Sequence, residues 1–197
     1  MEYTTIGTIQ GVSRVGLGTW AIGGWAWGGT DEKAAAETVL AALDRGITLI
    51  DTAPVYGAGR SEEIVGRALA EAGRRDEAVL STKCGLDGAR GGIRRDSSEE
   101  RIRSEVEESL RRLRTDRLDI LFVHWPDRAV PFRKTAGVLA GLLEEGLIRA
   151  VGVSNFSPAQ MEEFRRGGPL DVCQPPYNLF ERGIDDALLP YTRESRI

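Results

Sequence analysis

The stretch Gly46-Ile-Thr-Leu-Ile-Asp-Thr-Ala-Pro-Val-Tyr-Gly57 joins a short apolar run to a polar turn. Its aliphatic and β-branched residues predict a strand over Ile47–Asp51 that is buried on both faces. Asp51 stands at the carboxyl end of this strand, and Tyr56 follows in the turn. Because ligand sites of parallel α/β folds form beyond the carboxyl ends of their strands, the stretch predicts both a parallel sheet and a candidate site.

Strand and helix patterns alternate along the rest of the chain. Five further apolar runs predict strands: Val15–Thr19, Ala78–Lys83, Leu118–His124, Ile148–Ser154 and Asp171–Gln174. The six strands start 23 to 40 residues apart, about the length of one strand–helix unit. Helices are predicted over Asp31–Arg45, after a cap at Ser61, after the capping box Ser97-x-x-Glu100, over Pro131–Gly146, after Ser157-Pro158-x-Gln160 and over Asp185–Arg196. Ahead of these units, Tyr3–Val12 predicts a small β-hairpin that turns at Gly7.

This alternation is compatible with two folds, a doubly wound sheet and a (β/α)8 barrel. In a doubly wound sheet the ligand lies at one switch point, so few strand ends carry chemistry. Here polar residues end nearly every predicted strand: Asp51, Lys83, His124, Ser154-Asn155 and Gln174. A site fed by many strand ends is what a barrel builds, so we predict an α/β fold of the (β/α)8 TIM-barrel type. Only six strand–helix units are present, and strands 7 and 8 are expected to be missing.

Composition excludes several classes of protein. The chain has 197 residues, with 26 Lys and Arg against 30 Asp and Glu and a net charge of −4, which argues against a nucleic-acid partner. With 41% hydrophobic and 28% charged residues it resembles an ordinary globular chain. No apolar run reaches membrane-spanning length and no signal peptide is evident, so no membrane partner is expected. Two cysteines suit reduced thiols in a cytosol, and we predict a cytoplasmic single domain over residues 1–197.

Two residue counts point to chemistry. The chain has one histidine, His124, and three lysines against 23 arginines. Arginine cannot release its proton, whereas lysine is a compact and tunable charge, so Lys83 at a strand end invites a chemical explanation. An ammonium about 4 Å from Tyr56 would stabilise its phenolate by at most roughly 4 kcal/mol, which would suit acid–base catalysis near neutral pH. Asp51 would orient the lysine, and His124 would hydrogen-bond a substrate carbonyl.

Simpler interpretations stay open beside these. A strand-end histidine is usually a satisfied core group, and an Asp–Lys pair is usually a structural ion pair. The match of Gly16–Ala21 to the GxGxxA dinucleotide fingerprint is weak, because no helix follows it. One histidine and two distant cysteines cannot form a zinc site, so no metal is expected.

Three other features have plain explanations. The stretch Arg90–Arg117 holds nine arginines but also seven acids, which predicts a solvated helix face rather than an anion site. Cys84 and Cys173 suit small buried packing positions. Five aromatic residues are compatible with either core packing or the wall of a pocket: Trp20, Trp25, Trp27, Trp125 and Phe156.

Five motifs in order strongly resemble the signature of the aldo-keto reductase family. They are residues 46–57 continuing through Ser61-Glu-Glu to Gly66, Ser81–Cys84, Val123–Asp127, Ile148–Phe156 and Gln174–Asn178. The resemblance runs from about Tyr3 to the last residue and is strongest to bacterial members. It implies a (β/α)8 barrel, an NADPH (NADP+) cofactor, no metal, and reversible reduction of aldehydes or ketones.

The resemblance also implies roles for single residues. Tyr56 would be the proton donor, made more acidic by Lys83 and Asp51, and His124 would orient the carbonyl. Ser154, Asn155 and Gln174 would hold the nicotinamide carboxamide. Thr19 and Trp20 would lie beside the cofactor ribose and the substrate, and Asp51 would also approach the nicotinamide ribose.

The last part of the family pattern is not found in this sequence. Family members continue through two more strands, which supply an aromatic that stacks on the nicotinamide and residues that bind the cofactor phosphates. We therefore expect a C-terminally truncated domain whose sheet stays open, with its first and sixth strands as edges. Such a chain is expected to be marginally stable, prone to associate, and weak or inactive with NADPH.

The expected function is an oxidoreductase that acts on a small carbonyl or alcohol substrate. Two alternatives compete with it: a non-catalytic nicotinamide-binding regulatory subunit, and an inactive truncated fragment. The sequence indicates neither the physiological substrate nor the oligomeric state.

Overall fold

The computed structural model describes residues 1–25, 27–88 and 92–197. Six parallel strands form its main sheet: β3 (Leu17–Gly18), β4 (Leu49–Asp51), β5 (Val79–Cys84), β8 (Leu118–Val123), β9 (Ile148–Ser154) and β10 (Val172–Gln174). They stand side by side in chain order, and every neighbouring pair is parallel. A doubly wound sheet would reverse this order at a switch point, so the barrel-type prediction is confirmed as a curled half-barrel.

The two end strands of this sheet remain edges, as expected from six units. Within the described residues, β3 pairs only with β4, and β10 pairs only with β9. The Gly16–Ala21 segment leads from β3 into a 3-10 turn over Ala21–Gly23 rather than into an α-helix. The dinucleotide-fingerprint alternative is therefore wrong, because its helix N-terminus is what would bind the pyrophosphate.

The helices pack on the outer face of the sheet. They are α1 (Glu32–Asp44), α2 (Arg60–Glu71), α3 (Glu99–Leu113), α4 (Phe132–Glu144), α5 (Pro158–Arg165) and α6 (Leu188–Ser195). Alternation along the strands decides which side chains they cover. Leu121, Val123 and Val151 belong to the core beneath the helices, whereas Ile120, Phe122 and Ala150 point to the inside of the curl.

The predicted N-terminal hairpin is present and covers the amino ends of the strands. It consists of β1 (Tyr3–Ile6) and β2 (Ile9–Ser13), paired antiparallel. Ile9 and Val12 are almost fully buried against the inward-facing residues of the central strands. One end of the hairpin binds β4, since the Ser13 amide donates to Thr48 Oγ1 at 2.9 Å. Its Gly7 turn lies against Asp171 before β10, so the hairpin spans the curl and closes this end.

Two predicted helix caps are wrong, because each serine serves another purpose. Helix α2 begins one residue before Ser61, whose hydroxyl donates to Thr19 Oγ1 at 2.7 Å in a buried network. Helix α3 is capped by Ser98, whose hydroxyl accepts from the Arg101 amide, while the Ser97 backbone amide donates to Asp127 Oδ2 at 3.0 Å. The capping box at Ser157 is confirmed.

Other differences from the sequence patterns are local. The last helix starts at Leu188 rather than Asp185, with Pro190 in its first turn. A second hairpin that the sequence did not predict, β6 (Leu86–Asp87) with β7 (Arg94–Arg95), rises after β5. Ala26 of the first loop and Arg90 at the start of the Arg-rich stretch lie outside the described residues. None of the helices described is long and apolar enough to cross a membrane.

Candidate active site

Three adjacent central strands bring the main candidate residues to one end of the curl. Asp51 ends β4, Lys83 is the fifth residue of β5, and His124 follows β8 directly. Strand pairing places these ends side by side, since Asp51 is in register with Ser81 and Cys84 with Val123. Tyr56 lies in the turn that follows β4. The structure therefore gathers all four residues, which the sequence could only place at separate strand ends.

Lys83 is the most buried member of this group, with its side chain only 2% exposed. Its ammonium donates to Asp51 Oδ2 and to the Thr52 carbonyl, both at 2.8 Å. The other Asp51 oxygen accepts from Ser81 Oγ at 2.7 Å, so the carboxylate is held from two strands. A buried ammonium is stable only when it is paired and hydrogen-bonded, and these contacts meet that condition.

The contact between Lys83 and Tyr56 differs from the prediction. The sequence predicts an ammonium about 4 Å from Tyr56, and within the described residues Lys83 Nζ donates no hydrogen bond to the tyrosine hydroxyl. Nζ instead lies 5.0 Å from the centroid of the Tyr56 ring. The Thr52 carbonyl, which the prediction did not consider, accepts a hydrogen bond from one of the three ammonium N–H groups. Within the described residues, the third ammonium N–H has no hydrogen-bond acceptor.

The position of Tyr56 depends on two glycines. A Cβ on Gly23 would lie 2.6 Å from the Tyr56 carbonyl carbon, and a Cβ on Gly57 would lie 2.2 Å from the Gly23 oxygen. Gly57 also has φ of 63°, which L side chains rarely adopt. Because these two backbones approach so closely, the first loop packs directly against the turn that contains Tyr56. Trp20 then stands 6.3 Å from the Tyr56 ring, centroid to centroid.

His124 faces Tyr56 across the site, with the ring centroids 6.1 Å apart and the planes nearly perpendicular. Burial and the nearby Lys83 charge lower the pKa of His124 to about 3. Its imidazole is therefore neutral at physiological pH. One ring nitrogen then carries a proton that can be donated, and the other does not.

These side chains open onto a cavity of about 720 Å³. Its wall contains Tyr56, Lys83 and His124, two proline residues (Pro175 and Pro176), and the further residues Trp20, Trp25, Val55, Leu86, Ile93, Arg95, Trp125, Ser154, Asn155 and Gln174. The tryptophans in this wall are exposed at its mouth, whereas Phe156 packs in the core against Phe132 and Phe164. Trp27 stays outside the wall and contacts Trp20 edge-on at 5.7 Å.

The residues expected to hold the nicotinamide meet at the ends of β9 and β10. Asn155 adopts φ of 63°, and its Nδ2 donates to the His124 carbonyl and to Ser154 Oγ, both at 3.0 Å. The Ser154 hydroxyl donates to the Gln174 carbonyl at 2.8 Å. Within the described residues, the Gln174 side-chain amide and Asn155 Oδ1 form no hydrogen bond. An amide pair of this kind is free to bind a ligand carboxamide in the cavity.

Two of the expected cofactor contacts lie away from the cavity wall. Thr19 is fully buried, and its hydroxyl donates to the Asp51 carbonyl at 2.9 Å and accepts from Ser61. Asp51 contacts Lys83 and Ser81, as described above. Neither residue belongs to the wall of the cavity. Their place in the structure is behind the wall, where they support the strand ends that carry Trp20 and Lys83.

Sequence reasoning missed the contribution of the β6–β7 hairpin, which brings Leu86, Ile93 and Arg95 to the cavity. The signal was weak, because residues 86–95 contain three glycines and no strand pattern of useful length. Most of the Arg-rich stretch does lie on α3, but its face is only partly solvated, because Arg101 pairs with the buried Glu105 and Arg112 with the buried Glu62. Arg94 and Arg95 lie instead on β7, and of these two Arg95 belongs to the cavity wall. Within the described ranges, no cluster of His, Cys, Asp and Glu could hold a metal ion.

The fold and this site match one known family. The model of the aldo/keto reductase family matches residues 14–197. The chain belongs to the aldo/keto reductase family. Among curated relatives, the aldo-keto reductase YhdN of Bacillus subtilis is 56% identical over the whole chain, and the NADH-specific methylglyoxal reductase of Escherichia coli is 41% identical over 94% of it.

Solved structures of this family have the same fold as this chain. The glycerol dehydrogenase AKR11B4 from Gluconobacter oxydans superposes with a TM-score of 0.89 at 52% identity over 98% of the chain. The holo form of aldo-keto reductase AKR11C1 from Bacillus halodurans gives 0.88 at 30% identity over the whole chain. The chain spans 60% of YhdN, 61% of the methylglyoxal reductase, and 60% and 64% of the two solved chains.

Proposed function

We propose that this chain carries the acid–base centre of a reductase that interconverts small aldehydes or ketones and their alcohols with a nicotinamide cofactor. The observation that carries the proposal is the buried Lys83–Asp51 pair, whose ammonium lies 5.0 Å from the Tyr56 ring on a cavity shared with a neutral His124. A structural ion pair alone would not explain why a tyrosine and a histidine converge on it. Membership of an oxidoreductase family supports the same interpretation.

Tyr56 is the proton donor in this proposal. Its hydroxyl gives a proton to the carbonyl oxygen of the substrate, and the phenolate that remains faces the ammonium of Lys83. The ammonium charge favours that phenolate, and Asp51 keeps the ammonium in place. In the reverse direction the phenolate takes the proton back from the alcohol.

His124 positions the substrate. Because its pKa is lowered to about 3, the ring is neutral and donates one hydrogen bond without adding a second charge beside Lys83. A neutral donor polarises the carbonyl and leaves the proton transfer to Tyr56. The exposed tryptophans around the mouth would exclude water from the bound carbonyl.

The cavity also fits the nicotinamide group. A carboxamide has one oxygen acceptor and two N–H donors, and the free Gln174 amide and Asn155 Oδ1 provide the complementary groups. The Ser154 hydroxyl oxygen is a further acceptor, because its O–H donates a hydrogen bond to the Gln174 carbonyl. When bound there, a reduced nicotinamide supplies a hydride to the carbonyl carbon. Thr19, Trp20 and Asp51 remain predicted contacts of the cofactor ribose.

NADPH is the cofactor that we propose, following the family resemblance, although the methylglyoxal reductase relative is named as NADH-specific. We also propose that residues 1–197 form one domain. The contacts of the N-terminal hairpin with β4 and with the segment before β10 support this. The cytoplasmic location remains a prediction to be measured.

Turnover with each cofactor tests the function. The purified chain is mixed with NADPH or NADH and a panel of small aldehydes, and oxidation of the cofactor is followed at 340 nm. Turnover above the buffer rate supports a reductase. Calorimetric binding of either cofactor without turnover would favour the regulatory-subunit alternative. A folded chain that neither binds a cofactor nor turns over would overturn the proposal.

A further inference from the structure

Arg95 is a charged residue of the cavity wall to which the proposed chemistry gives no role. It lies on β7, and its guanidinium stands over the Trp125 ring at 5.2 Å from the ring centroid. Arg95 Nη1 donates to the Pro126 carbonyl at 3.1 Å. Stacking and this hydrogen bond together hold the guanidinium at the wall instead of leaving it loose in solvent.

The other edge of this guanidinium is free. Nε and Nη2 of Arg95 form no hydrogen bond within the described residues, and no described carboxylate lies within ion-pair distance. The arginines of α3 differ, since Arg101, Arg103 and Arg112 each contact a glutamate. The free Nε–Nη2 edge presents two parallel N–H donors, the geometry that matches a carboxylate.

The cavity itself has an excess of positive charge. Among the described residues of its wall there is no aspartate or glutamate. The other cation in the wall, Lys83, is balanced by Asp51. Among the described wall residues, Arg95 is therefore the unbalanced charge, and apart from Lys83 the others are aromatic, aliphatic or neutral polar residues. Such a cavity favours a ligand that brings a negative charge.

We propose that the substrates of this enzyme are carbonyl compounds that carry a carboxylate, and that Arg95 binds this carboxylate. This substrate class rests on the proposed reductase function. The carbonyl is bound by Tyr56 and His124, the carboxylate by Nε and Nη2 of Arg95, and the apolar spacer between them by the aromatic wall. A carboxylate suits the site better than a phosphate dianion because a single guanidinium edge supplies only two donors.

A matched pair of substrates and a matched pair of variants test this. The substrates are 4-carboxybenzaldehyde and 4-formylbenzamide, which have nearly the same shape and differ in charge. The variants are Arg95→Gln and Arg94→Gln. Arg94 precedes Arg95 on the same exposed strand but is not part of the cavity wall.

We expect the parent chain to prefer the carboxylate substrate in kcat/KM by about tenfold or more, the usual effect of a charged hydrogen-bonded pair. Arg95→Gln should bring this preference close to one, mainly through KM for the carboxylate. Arg94→Gln should keep the preference of the parent. An unchanged preference in Arg95→Gln, or no preference in the parent, would overturn the proposal.

A binding measurement separates this proposal from the proposed function. Isothermal titration of the chain with 4-carboxybenzaldehyde, with and without NADP+, needs no turnover. Weaker binding to Arg95→Gln than to Arg94→Gln supports the carboxylate site even if neither aldehyde is reduced, which would count against the reductase function alone. Equal binding to the two variants, or no binding to the parent, would refute the carboxylate site.

Discussion

The centre and the two edges of the main sheet differ in length, burial and chemical content. The central strands β5, β8 and β9 have 6, 6 and 7 residues and are buried almost throughout. The edge strands β3 and β10 have 2 and 3 residues and are largely half-buried or exposed. Lys83 and His124 lie at the ends of central strands, whereas Trp20 and Gln174 follow or end the edge strands.

This difference separates the proposed acid–base residues from part of the proposed cofactor site. A central strand is paired on both sides, so its carboxyl end is held by two ladders of hydrogen bonds and by the helices above. An edge strand has one such ladder, and its end moves at a lower free-energy cost. The geometry of Lys83 and His124 is therefore set by the best-packed part of the molecule. The groups proposed to hold the nicotinamide lie partly on the less constrained part.

The strongest test of the centre is removal of the Tyr56 hydroxyl. Tyr56→Phe keeps the ring beside Trp20 and His124 but has no proton to give to the carbonyl oxygen. We expect turnover to fall by about a thousandfold, within the range for general acid catalysis, with cofactor affinity nearly unchanged. Steady-state rates and calorimetric titration of NADPH measure the two effects. A large loss of NADPH affinity would contradict the proposal that the acid–base residues at the centre of the sheet act separately from the cofactor-binding residues at its edges.

The next test concerns the charge at the centre. Lys83→Arg preserves the positive charge, but the guanidinium is larger and holds its N–H donors in a rigid plane, so it does not reproduce the bonds from Lys83 Nζ to Asp51 Oδ2 and the Thr52 carbonyl. We expect turnover to remain about a hundredfold below the parent. Lys83→Met provides the comparison without charge. Near-parental rates in Lys83→Arg would show that charge alone is needed and that the exact packing of the centre matters little.

Paired valine substitutions compare the centre and the edge directly. Val151 of β9 is fully buried, whereas Val172 of β10 is only half-buried. Val151→Ala should lower the free energy of unfolding by about 2 kcal/mol, through lost burial and the cavity left behind, and Val172→Ala by less than about 1 kcal/mol. Urea unfolding followed by circular dichroism measures both. Equal losses would show that the edge is packed as tightly as the centre.

The last test of the centre is a pH dependence of stability from His124. Its pKa is about 3 in the folded chain and 6.5 in a free side chain, so the unfolded chain takes up a proton first as the pH falls. The parent should therefore lose roughly 2 kcal/mol more stability than His124→Gln between pH 7 and pH 5. Urea unfolding at the two pH values measures this difference, and parallel pH curves would contradict it.

The comparison with His124→Gln is needed because a second group, Glu105, also titrates in this pH range. Burial raises the pKa of Glu105 to about 7, despite its hydrogen bond from the Gly85 amide and its contact with Arg101. Because its pKa is raised in the folded chain, Glu105 stabilises at low pH and loses that contribution as the pH rises from 4.5 to 7. This trend opposes that of His124. Both proteins contain Glu105, so its effect cancels in the comparison.

The strands and most helices could be predicted from the sequence because their signals are local. Apolar runs such as Ile148–Ser154 match the observed strand, and the Ser157 capping box opens α5 as predicted. Ser61 carries the same type of signal, yet in the structure its hydroxyl donates to Thr19 Oγ1. A buried serine bonds to whichever partner the tertiary structure brings near, so a local cap signal loses to a long-range contact.

Residue types at strand ends were enough to nominate Asp51, Tyr56, Lys83 and His124, because parallel strands of one sheet present their carboxyl ends together. Distances and charge states depended on contacts between residues far apart in the chain. The Thr52 carbonyl accepts a hydrogen bond from the Lys83 ammonium, and burial keeps the His124 imidazole neutral. Arg95 reaches the cavity on a hairpin for which the sequence gives almost no signal. Periodicity reports which face of an element is buried, whereas the electrostatics of a site arises from atoms that only packing brings together.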